Sequence, residues 1–313
     1  MDVIKSLWLN NIWPSILAGA ITLFVVLVVM QLFAIRGNSL SSNLRFKLLE
    51  LPVIKAFLVL LGINLGGLRI SWYTVTIIYG WGLICFVQRW ISYEKFKTDV
   101  LLADRIDNAS TRSLQAIIGQ IAGKVDCPVP RLLVVAKEYP SPFVLGFFGP
   151  LLVVPHSLLE HLSHDEMEAL LAHEIAHMAR WDNLYIWQAV LFRDIMFFNP
   201  VVIFIYNYLL KEKEKNCDDL AISITGRPII FAEMLLKVYN LIQQNGKSRT
   251  ILTNTIMHSL VGSSSLFSER VERITKLPKD YFIFSQKRQF LYYAKVGFLI
   301  LVTVFLFSFN LVG

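Results

Sequence analysis

An almost unbroken apolar run from Ile12 to Ile35, closed by Arg36, restricts the fold of this chain more than any other feature. A helix of about 20 residues crosses the apolar core of a bilayer, so this run is long enough to do so. Two further runs, Ser71 to Trp90 and Phe290 to Val312, meet the same condition. Because 55% of the residues are hydrophobic and only 17% are charged, the chain is too apolar for an ordinary soluble domain. We expect a multi-pass protein of the cell membrane.

Leu51 to Ile70 leaves the number of spans open. The segment is apolar but carries Lys55, Asn64 and three glycines, so it fits either a weak span or a helix at the membrane surface. If it crosses the bilayer, the amino terminus lies outside the cell, and if it does not, the amino terminus lies inside. The basic residues of the first loop favour three early spans. No small-residue cleavage pattern follows Ile35, which indicates a retained anchor rather than a signal peptide.

Clusters of Lys and Arg flank the long middle segment at both of its membrane ends. They are Arg89, Lys95, Lys97 and Arg105 on one side and Lys276, Lys279, Lys287 and Arg288 on the other. Since cytoplasmic loops are enriched in these residues, we expect residues 92–289 in the cytoplasm, between an amino-terminal membrane region, 1–91, and a last span, 290–313. Anchoring at the inner membrane face accounts for the net charge of +7, so no nucleic-acid partner is inferred.

The pentapeptide from His173 to His177, His-Glu-Ile-Ala-His, carries the clearest chemistry. On a helix, two histidines four residues apart project from the same face and can hold one zinc ion, and Glu174 between them can act as the base on the attacking water. The preceding residues predict that helix, because Ser163 can cap it and Glu166, three residues later, completes a capping box.

A catalytic zinc site of this kind needs a third protein ligand. Glu214 is the best candidate, because it lies in a polar stretch that begins an amphipathic helix after a long apolar segment. Asp218, one helical turn later, faces the same way and can hold the free ring nitrogen of a ligand histidine. The alternative interpretation is that Glu212, Glu214, Asp218 and Asp219 form a solvated, charged helix face.

Several further motifs follow one another in a fixed order. They are Ser141–Gly146, Leu152–Pro155, Met178–Asn183 directly after the zinc motif, Phe198–Pro200, and Glu214–Asp219. Through these motifs, the segment from about residue 100 to residue 280 resembles the BlaR/MecR-type membrane zinc metallopeptidases, which are the antirepressor proteases of β-lactam sensing. It resembles the HtpX family more distantly. The resemblance implies one zinc ion held by His173, His177 and Glu214, with Glu174 as catalytic base. It also implies that Asp218, Asp182 and Arg180 support the ligands.

The fold expected from the motifs and the resemblance is mainly α-helical, with a zincin-like α+β metallopeptidase domain inside a multi-span membrane protein. Arg131–Val135, Phe143–Phe148 and Leu151–Val154 are predicted as short strands. Leu145–Phe148 is a candidate edge for an extended substrate, although plain core packing fits its side chains equally well.

Residues 184–210 are apolar enough for a span, yet the two histidines before them and Glu214 after them must reach one ion. Two crossings need about 40 residues, more than this segment has. We therefore predict a bent helical hairpin, buried or dipping into the inner leaflet, that returns to the same side. Arg193 and Asp194 within it are expected to form an internal ion pair.

The remaining candidates are weaker. His258 is a candidate for stabilising the oxyanion, whereas His156, His161 and His164 are expected at the surface. Cys217 is interpreted as a small buried residue rather than a ligand. The polar stretch Gly262–Ser268 is either a site of self-cleavage or an ordinary loop before a helix that contains Arg270 and Arg273.

Three functions fit this sequence. The first is a regulatory or processing zinc endopeptidase with a protein substrate, such as a transcriptional repressor or a membrane protein. The second is a quality-control protease of the HtpX kind, and the third is a non-catalytic membrane receptor with a structural zinc site. β-Lactam sensing is not expected, because the chain ends at Gly313 without a penicillin-binding domain and Ser92–Lys95 is only a chance match to its nucleophile motif.

Overall fold

Helices make up most of the structure, a computed structural model. It describes residues 5, 8–35, 42–61, 63–64, 67–68, 72–106, 109–137, 139, 141–146, 149–244 and 264–276. These residues divide between two compact units. Unit 1 comprises the described residues of Met1–Gln88 and Trp187–Glu212, and unit 2 comprises those of Arg89–Ile186 and Lys213–Phe284. The prediction of a mainly α-helical chain with a small sheet is confirmed.

Unit 1 begins with a π-helical turn, Trp8–Ile12, that continues into helix α1, Trp13–Ile35. Helix α2, Ser42–Leu60, lies antiparallel beside it. Asn11 Nδ2 donates to the Leu60 carbonyl at 3.0 Å and Ser15 Oγ donates to the Ala56 carbonyl at 2.8 Å. Both polar side chains are buried, so these hydrogen bonds fix the register of the two helices.

The ambiguous segment from residue 51 to residue 70 does not form one continuous helix. Helix α2 ends at Leu60, and two short antiparallel strands follow, β1, Ile63–Asn64, and β2, Gly67–Leu68. Helix α3, Trp72–Leu101, then includes residues 72–90 of the segment predicted as the second span, and its crossing of a membrane stays a prediction. Among the described helices, one, Trp8–Leu32, is long and apolar enough to cross a bilayer. The predicted last span, 290–312, lies outside the described residues.

The predicted hairpin 184–210 is occupied by two helices, α7, Asp182–Ile195, and α8, Pro200–Thr225. Asn199 Oδ1 accepts from the Val201 N–H at 3.0 Å and so caps α8, whose first residue is a proline. Arg193 Nη2 and Asp194 Oδ1 form the predicted ion pair at 2.8 Å, with the guanidinium over the Tyr206 ring. The membrane depth of this segment stays a prediction.

Unit 2 contains a three-stranded sheet in the order β3-β5-β4. Strand β3 is Arg131–Val135, β4 is Phe143–Leu145 and β5 is Leu151–Pro155. Strand β5 pairs in parallel with β3 and antiparallel with β4. The three predicted strands are therefore present. Strand β4 is shorter than the predicted Phe143–Phe148, and residues 147 and 148 lie outside the described residues.

Helices cover this sheet and enclose the core of unit 2. They are α4, Ala109–Lys124, α5, His156–His161, α6, His164–Ala179, α9, Pro228–Gln244, and α10, Ser264–Lys276. The centre of α6 is completely buried at Leu170, Leu171 and Ile175, and α9 contributes the equally buried Phe231. A helix packed on all sides has little freedom to shift, so side chains on α6 are held in place.

Helix α10 begins inside the stretch 262–268 that was considered for self-cleavage. Ser264 is its first residue, and Phe267 is 7% exposed and stacks on the Tyr239 ring with the centroids 4.3 Å apart. Residues 264–268 are thus part of a helix, in which Phe267 is packed, rather than an open linker. Residues 262 and 263 lie outside the described residues.

Candidate metal centre

The amino-terminal end of α6 has the predicted capping box. The Glu166 N–H donates to Ser163 Oγ at 3.4 Å, and the Ser163 N–H donates to Glu166 Oε2 at 2.8 Å. Lys237 Nζ on α9 lies 2.7 Å from Glu166 Oε1. Three turns of helix then bring His173, Glu174 and His177 into the interior, where they are 0%, 2% and 7% exposed.

Three candidate ligand atoms converge at the centre of unit 2. His173 Nε2 and His177 Nε2 are 3.1 Å apart, and the Glu214 carboxylate on α8 lies 3.5 Å from the first and 3.9 Å from the second. Zinc bonds of about 2.0–2.1 Å in a tetrahedral site place the ligand atoms about 3.3 Å apart. The spacing of the three side chains therefore fits one zinc ion.

The absence of well-aligned hydrogen bonds to these carboxylates also favours a bound cation. Neither carboxylate oxygen of Glu214 accepts a well-aligned hydrogen bond from the protein, nor does Glu174 Oε1, and all three atoms are buried. Buried polar atoms without a well-aligned hydrogen bond are uncommon and need an explanation. A cation and an attacking water between them would satisfy these oxygens.

The outer ring nitrogens of both histidines face carboxylates. His177 Nδ1 lies 2.7 Å from Asp182 Oδ2, with good hydrogen-bond geometry. His173 Nδ1 lies 3.3 Å from Asp218 Oδ1, close enough for an ion pair but too poorly aligned for a hydrogen bond. A carboxylate on the outer nitrogen holds the proton there and leaves Nε2 free for a metal.

A tight turn returns Asp182 to His177. Helix α6 ends at Ala179, the Arg180 N–H donates to the Ala176 carbonyl, and Trp181 adopts a left-handed conformation with φ of 57°. Such a φ is unusual for a bulky residue and marks a turn held by its surroundings. Arg180 Nε lies 3.5 Å from Asp182 Oδ1, so Arg180 and His177 contact opposite oxygens of one carboxylate.

Cys217 is buried, as the sequence predicted, and also takes part in this network. Its Sγ lies 3.0 Å from Asp182 Oδ2 and 3.1 Å from His177 Nδ1. Burial, followed by the nearby negative charge of Asp182, raises the pKa of the Cys217 thiol, so the group stays protonated and donates to Asp182. His177, Asp182 and Cys217 are close enough to hold an ion, but their separations of 2.7–3.1 Å are those of a hydrogen-bonded triangle.

The acidic residues of α8 are not a solvated face. Glu212, Glu214 and Asp218 are 1%, 8% and 0% exposed, so that alternative is wrong for them. Two cations flank Glu214. Lys213 Nζ lies 3.0 Å from Glu214 Oε1, and Arg270 Nη1 lies 3.4 Å from Glu214 Oε2.

Sequence reasoning missed Lys213 and Arg270 as members of the site. Arg270 approaches from α10 and contacts both oxygens of Asp218, through Nη2 at 2.6 Å and Nε at 2.9 Å. The available signal was charge complementarity. Arg270 and Arg273 are one helical turn apart and match the neighbouring acids Asp218 and Asp219, but the sequence does not show which helix α10 packs on.

Burial and neighbouring charges shift the pKa values of the central groups. Burial raises the pKa of Glu174 to about 7, only partly offset by His173. For Glu214, burial is outweighed by Lys213, His177, His173 and Arg270, so its pKa falls to about 2. A carboxylate that stays ionised suits a metal ligand, and a carboxylate with a pKa near neutrality suits a base that also returns its proton.

The two histidines are shifted in opposite directions. Burial, reinforced by the charge of Lys213, lowers the pKa of His177 to about 4. Burial also disfavours charge on His173, but the carboxylates of Asp218 and Glu214 outweigh it and raise its pKa to about 9. Without a metal, His173 is therefore protonated at neutral pH while His177 is neutral.

Strand β4 lies at the edge of the sheet, without a second partner strand among the described residues. Asn183 Nδ2 donates to the Val144 carbonyl at 3.3 Å, and the Gly146 N–H donates to the Tyr93 hydroxyl at 2.9 Å. An extended peptide bound at this edge would compete with both side chains. Phe143, Val144 and Leu145 are themselves buried, as core packing requires.

The remaining predicted histidines are not part of the centre. His161 and His164 are exposed and His156 is partly exposed, as predicted. The candidate oxyanion group, His258, lies outside the described residues.

The family model described as BlaR1 peptidase M56 matches residues 68–274. A protease HtpX homolog of Methanopyrus kandleri is 24% identical over 215 residues, 54% of this chain and 68% of that protein. Protease HtpX of Chromohalobacter salexigens is 26% identical over 171 residues, covering 53% and 56%.

A third relative, the methicillin resistance mecR1 protein of Staphylococcus aureus, is 28% identical over 136 residues. The match covers 43% of this chain and 22% of the relative. The chain therefore spans a little more than half to two thirds of the HtpX proteins and a much smaller part of mecR1.

Proposed function

The chain belongs to the BlaR1 peptidase M56 family, and we propose that it is an integral-membrane zinc endopeptidase that hydrolyses peptide bonds on the cytoplasmic side of the membrane. The convergence of His173 Nε2, His177 Nε2 and the Glu214 carboxylate, with Glu174 buried next to His173, is the observation that supports this most strongly. A structural zinc site of a receptor would not require an additional buried carboxylate with a pKa near neutrality.

Each residue has a defined task in the proposed reaction. When bound, zinc would polarise the scissile carbonyl and acidify the attacking water. Glu174 accepts the proton of that water through the oxygen that has no partner in the protein, and then donates it to the leaving amine. Asp182 and Asp218 hold the protons on the outer ring nitrogens of His177 and His173. Backbone pairing of the substrate with β4 would orient the scissile bond.

We propose a regulatory role with a protein substrate, such as a transcriptional repressor, in line with the mecR1 relative. A quality-control role on membrane proteins is the second candidate, because the HtpX relatives match more of the chain, 54% and 53% against 43%. Both roles use the same zinc chemistry and differ in the substrate.

The mechanism is tested by Glu174→Gln in the purified full-length protein. We expect unchanged zinc content, because Gln removes the base but no ligand, and a loss of about 10²- to 10⁴-fold in the rate of cleavage of fluorescently labelled casein. Elemental analysis and the casein assay measure the two quantities separately. Wild-type cleavage rates in the variant would contradict the role of Glu174, and a wild-type protein without zinc would contradict the metal site.

A further inference from the structure

Arg270 connects α10 to two residues of the proposed zinc site at once. It lies 52 residues further along the chain than Asp218, and its side chain is almost completely buried. Nη2 and Nε of its guanidinium, a fork of two parallel donors, contact the two oxygens of Asp218 at 2.6 and 2.9 Å, and Nη1 lies 3.4 Å from Glu214 Oε2. One guanidinium therefore contacts the third candidate ligand and the carboxylate behind His173.

A separate set of contacts holds α10 in place. Arg273 Nη1 lies 2.6 Å from Asp219 Oδ1, and Lys215 Nζ lies 2.7 Å from Glu269 Oε1. Phe267 stacks on Tyr239 of α9. Because these contacts do not involve Arg270, a variant at position 270 can keep α10 docked while changing the contacts to the metal centre.

We propose that Arg270 is a positioning residue for the metal, and that docking of α10 and binding of zinc therefore stabilise each other. This inference rests on the zinc site of the proposed function. Asp218 Oδ1 lies between Arg270 Nη2, at 2.6 Å, and His173 Nδ1, at 3.3 Å. The fork fixes both oxygens of Asp218, so the orientation of Asp218, and through it that of the His173 ring, depends on Arg270.

Two opposite effects of removing Arg270 have to be weighed. A positive charge 3.4 Å from a ligand oxygen repels a metal cation, so its removal alone would tighten zinc binding. Its removal also leaves the fully buried Asp218 without its close ion partner, which is strongly unfavourable and frees Asp218 to turn away from His173. We expect the second effect to dominate, because Asp218 is 0% exposed and Lys213 remains on the other oxygen of Glu214.

The sign of the change in zinc affinity distinguishes the two effects. In the purified full-length protein, measured by competition with a chelator, Arg270→Gln should weaken zinc binding about 10-fold or more, the usual cost of losing a carboxylate that orients a ligand histidine. Arg270→Lys keeps the charge but loses the fork, so we expect an intermediate loss. The control, Lys276→Gln on the same helix, removes an exposed cation that pairs with the neighbouring Glu272, and it should stay within about twofold of wild type.

A spectroscopic measurement and hydrogen exchange add independent readouts. With Co²⁺ in place of zinc, the visible absorption of Arg270→Gln should differ from that of wild type and Lys276→Gln, since it reports ligand geometry. In the wild type, zinc should slow hydrogen exchange of the α10 amides, because coupling between two sites is reciprocal. This last measurement decides the question even if Arg270→Gln does not fold.

Unchanged or tighter zinc binding in Arg270→Gln, in a wild-type background that does bind zinc, would overturn the inference alone. An equal loss in Lys276→Gln would also overturn it, because it would show that the loss of any cation on α10 weakens zinc binding. Equal hydrogen-exchange rates of the α10 amides with and without zinc would also overturn the inference. A wild-type protein that binds no zinc would instead remove the proposed function, and the inference with it.

Discussion

The two candidate ligand histidines stand in different electrostatic surroundings, although they are one helical turn apart. Burial and then the charge of Lys213 lower the pKa of His177, whereas at His173 burial is outweighed by the carboxylates of Asp218 and Glu214, which raise its pKa to about 9. A metal binds only the neutral ring. The two residues therefore contribute differently to metal binding as the pH changes.

Zinc binding should release a proton from His173. Below a pH of about 9 the metal-free protein carries this proton, so apparent zinc affinity should rise about tenfold per pH unit between pH 6 and 8 and level off above 9. Titration calorimetry at pH 7 in two buffers with different ionisation heats counts the protons. A value near zero, with affinity independent of pH, would show that His173 is neutral before the metal arrives.

Glu214 should be essential for metal binding, unlike its neighbour Asp219. Glu214→Ala removes one of three ligands and should lower the zinc content of the purified protein to a small fraction of wild type. Asp219→Ala on the same helix removes a partly exposed carboxylate that pairs with Arg273 and should keep the zinc. Equal zinc content in the two variants, by elemental analysis, would remove Glu214 from the site.

For individual residues, the sequence predicted those site residues whose positions depend on local spacing along a helix. His173, His177 and the turn from Glu214 to Asp218 follow from helical periodicity, and the resemblance added Asp182 and Arg180. Arg270 depends on which helices pack together, 52 residues away from Asp218, and no local pattern encodes that. Cys217 was recognised as buried, but its donation to Asp182 needs the turn at Trp181, whose left-handed φ is untypical of tryptophan.

Helix α6, which carries three residues of the site, is stabilised by its capping box as well as by its packing. Glu166 combines three roles at the start of α6, since it completes the capping box, it is buried, and it pairs with Lys237 of α9. Burial alone would raise the pKa of Glu166, but the hydrogen bonds from Lys237 and Ser163 outweigh it and lower the pKa. The charged form is thus the one that stabilises the fold.

Glu166→Gln should reveal this contribution through its pH dependence. Gln can still complete the capping box but loses the charge, so the expected loss at neutral pH is that of a partly exposed ion pair with Lys237, about 0.2–1 kcal/mol. Because the folded pKa lies below the unfolded one, the contribution of Glu166 is present above the unfolded value, roughly 4.3, and is lost as the pH falls through the folded pKa. The difference in Tm between wild type and variant should therefore shrink below pH 4. A difference independent of pH would contradict the role of the charge.

Element prediction succeeded where the pattern was long and failed where tertiary pairing decided. Strands β3 and β5, the capped helix α6 and the apolar helix α1 lie where the sequence placed them. Hydropathy did not predict that segment 51–70 contains the end of α2 and a two-stranded ribbon, because it carries no information on the antiparallel contact of α2 with α1. That contact stabilises α2, Ser42–Leu60, beside α1.

The placement of the whole molecule in the membrane can be tested by thiol labelling. In a background with Ser at positions 85 and 127, Glu160→Cys introduces a cysteine at a side chain that is 63% exposed, while Cys217 is buried. If the metal centre faces the cytoplasm, this cysteine should resist an impermeant thiol reagent in intact cells and react after lysis. Labelling in intact cells would place the site outside.

Lys5→Cys in the same background reports the other end of the membrane region. Labelling in intact cells is expected if three spans precede the metal centre, as the basic first loop favours, and protection is expected if there are two. The two variants together show whether the number of crossings between residues 5 and 160 is odd or even, which distinguishes three spans from two.

The buried groups at the centre of unit 2 also carry a net charge that can be added up. Among the described residues of this centre, Glu174, Asp182, Glu214 and Asp218 are four carboxylates at most 8% exposed, and Lys213 and Arg270 are two cations buried as deeply, whereas the buried Glu212 belongs to unit 1. Once a metal has displaced the proton of His173, and with Glu174 ionised, four negative and two positive charges leave a net charge of −2 among these groups. One divalent ion brings the sum to zero, a monovalent ion would leave it negative, and a trivalent ion would make it positive. Electroneutrality in a medium of low polarity therefore favours a divalent metal before coordination geometry selects the element.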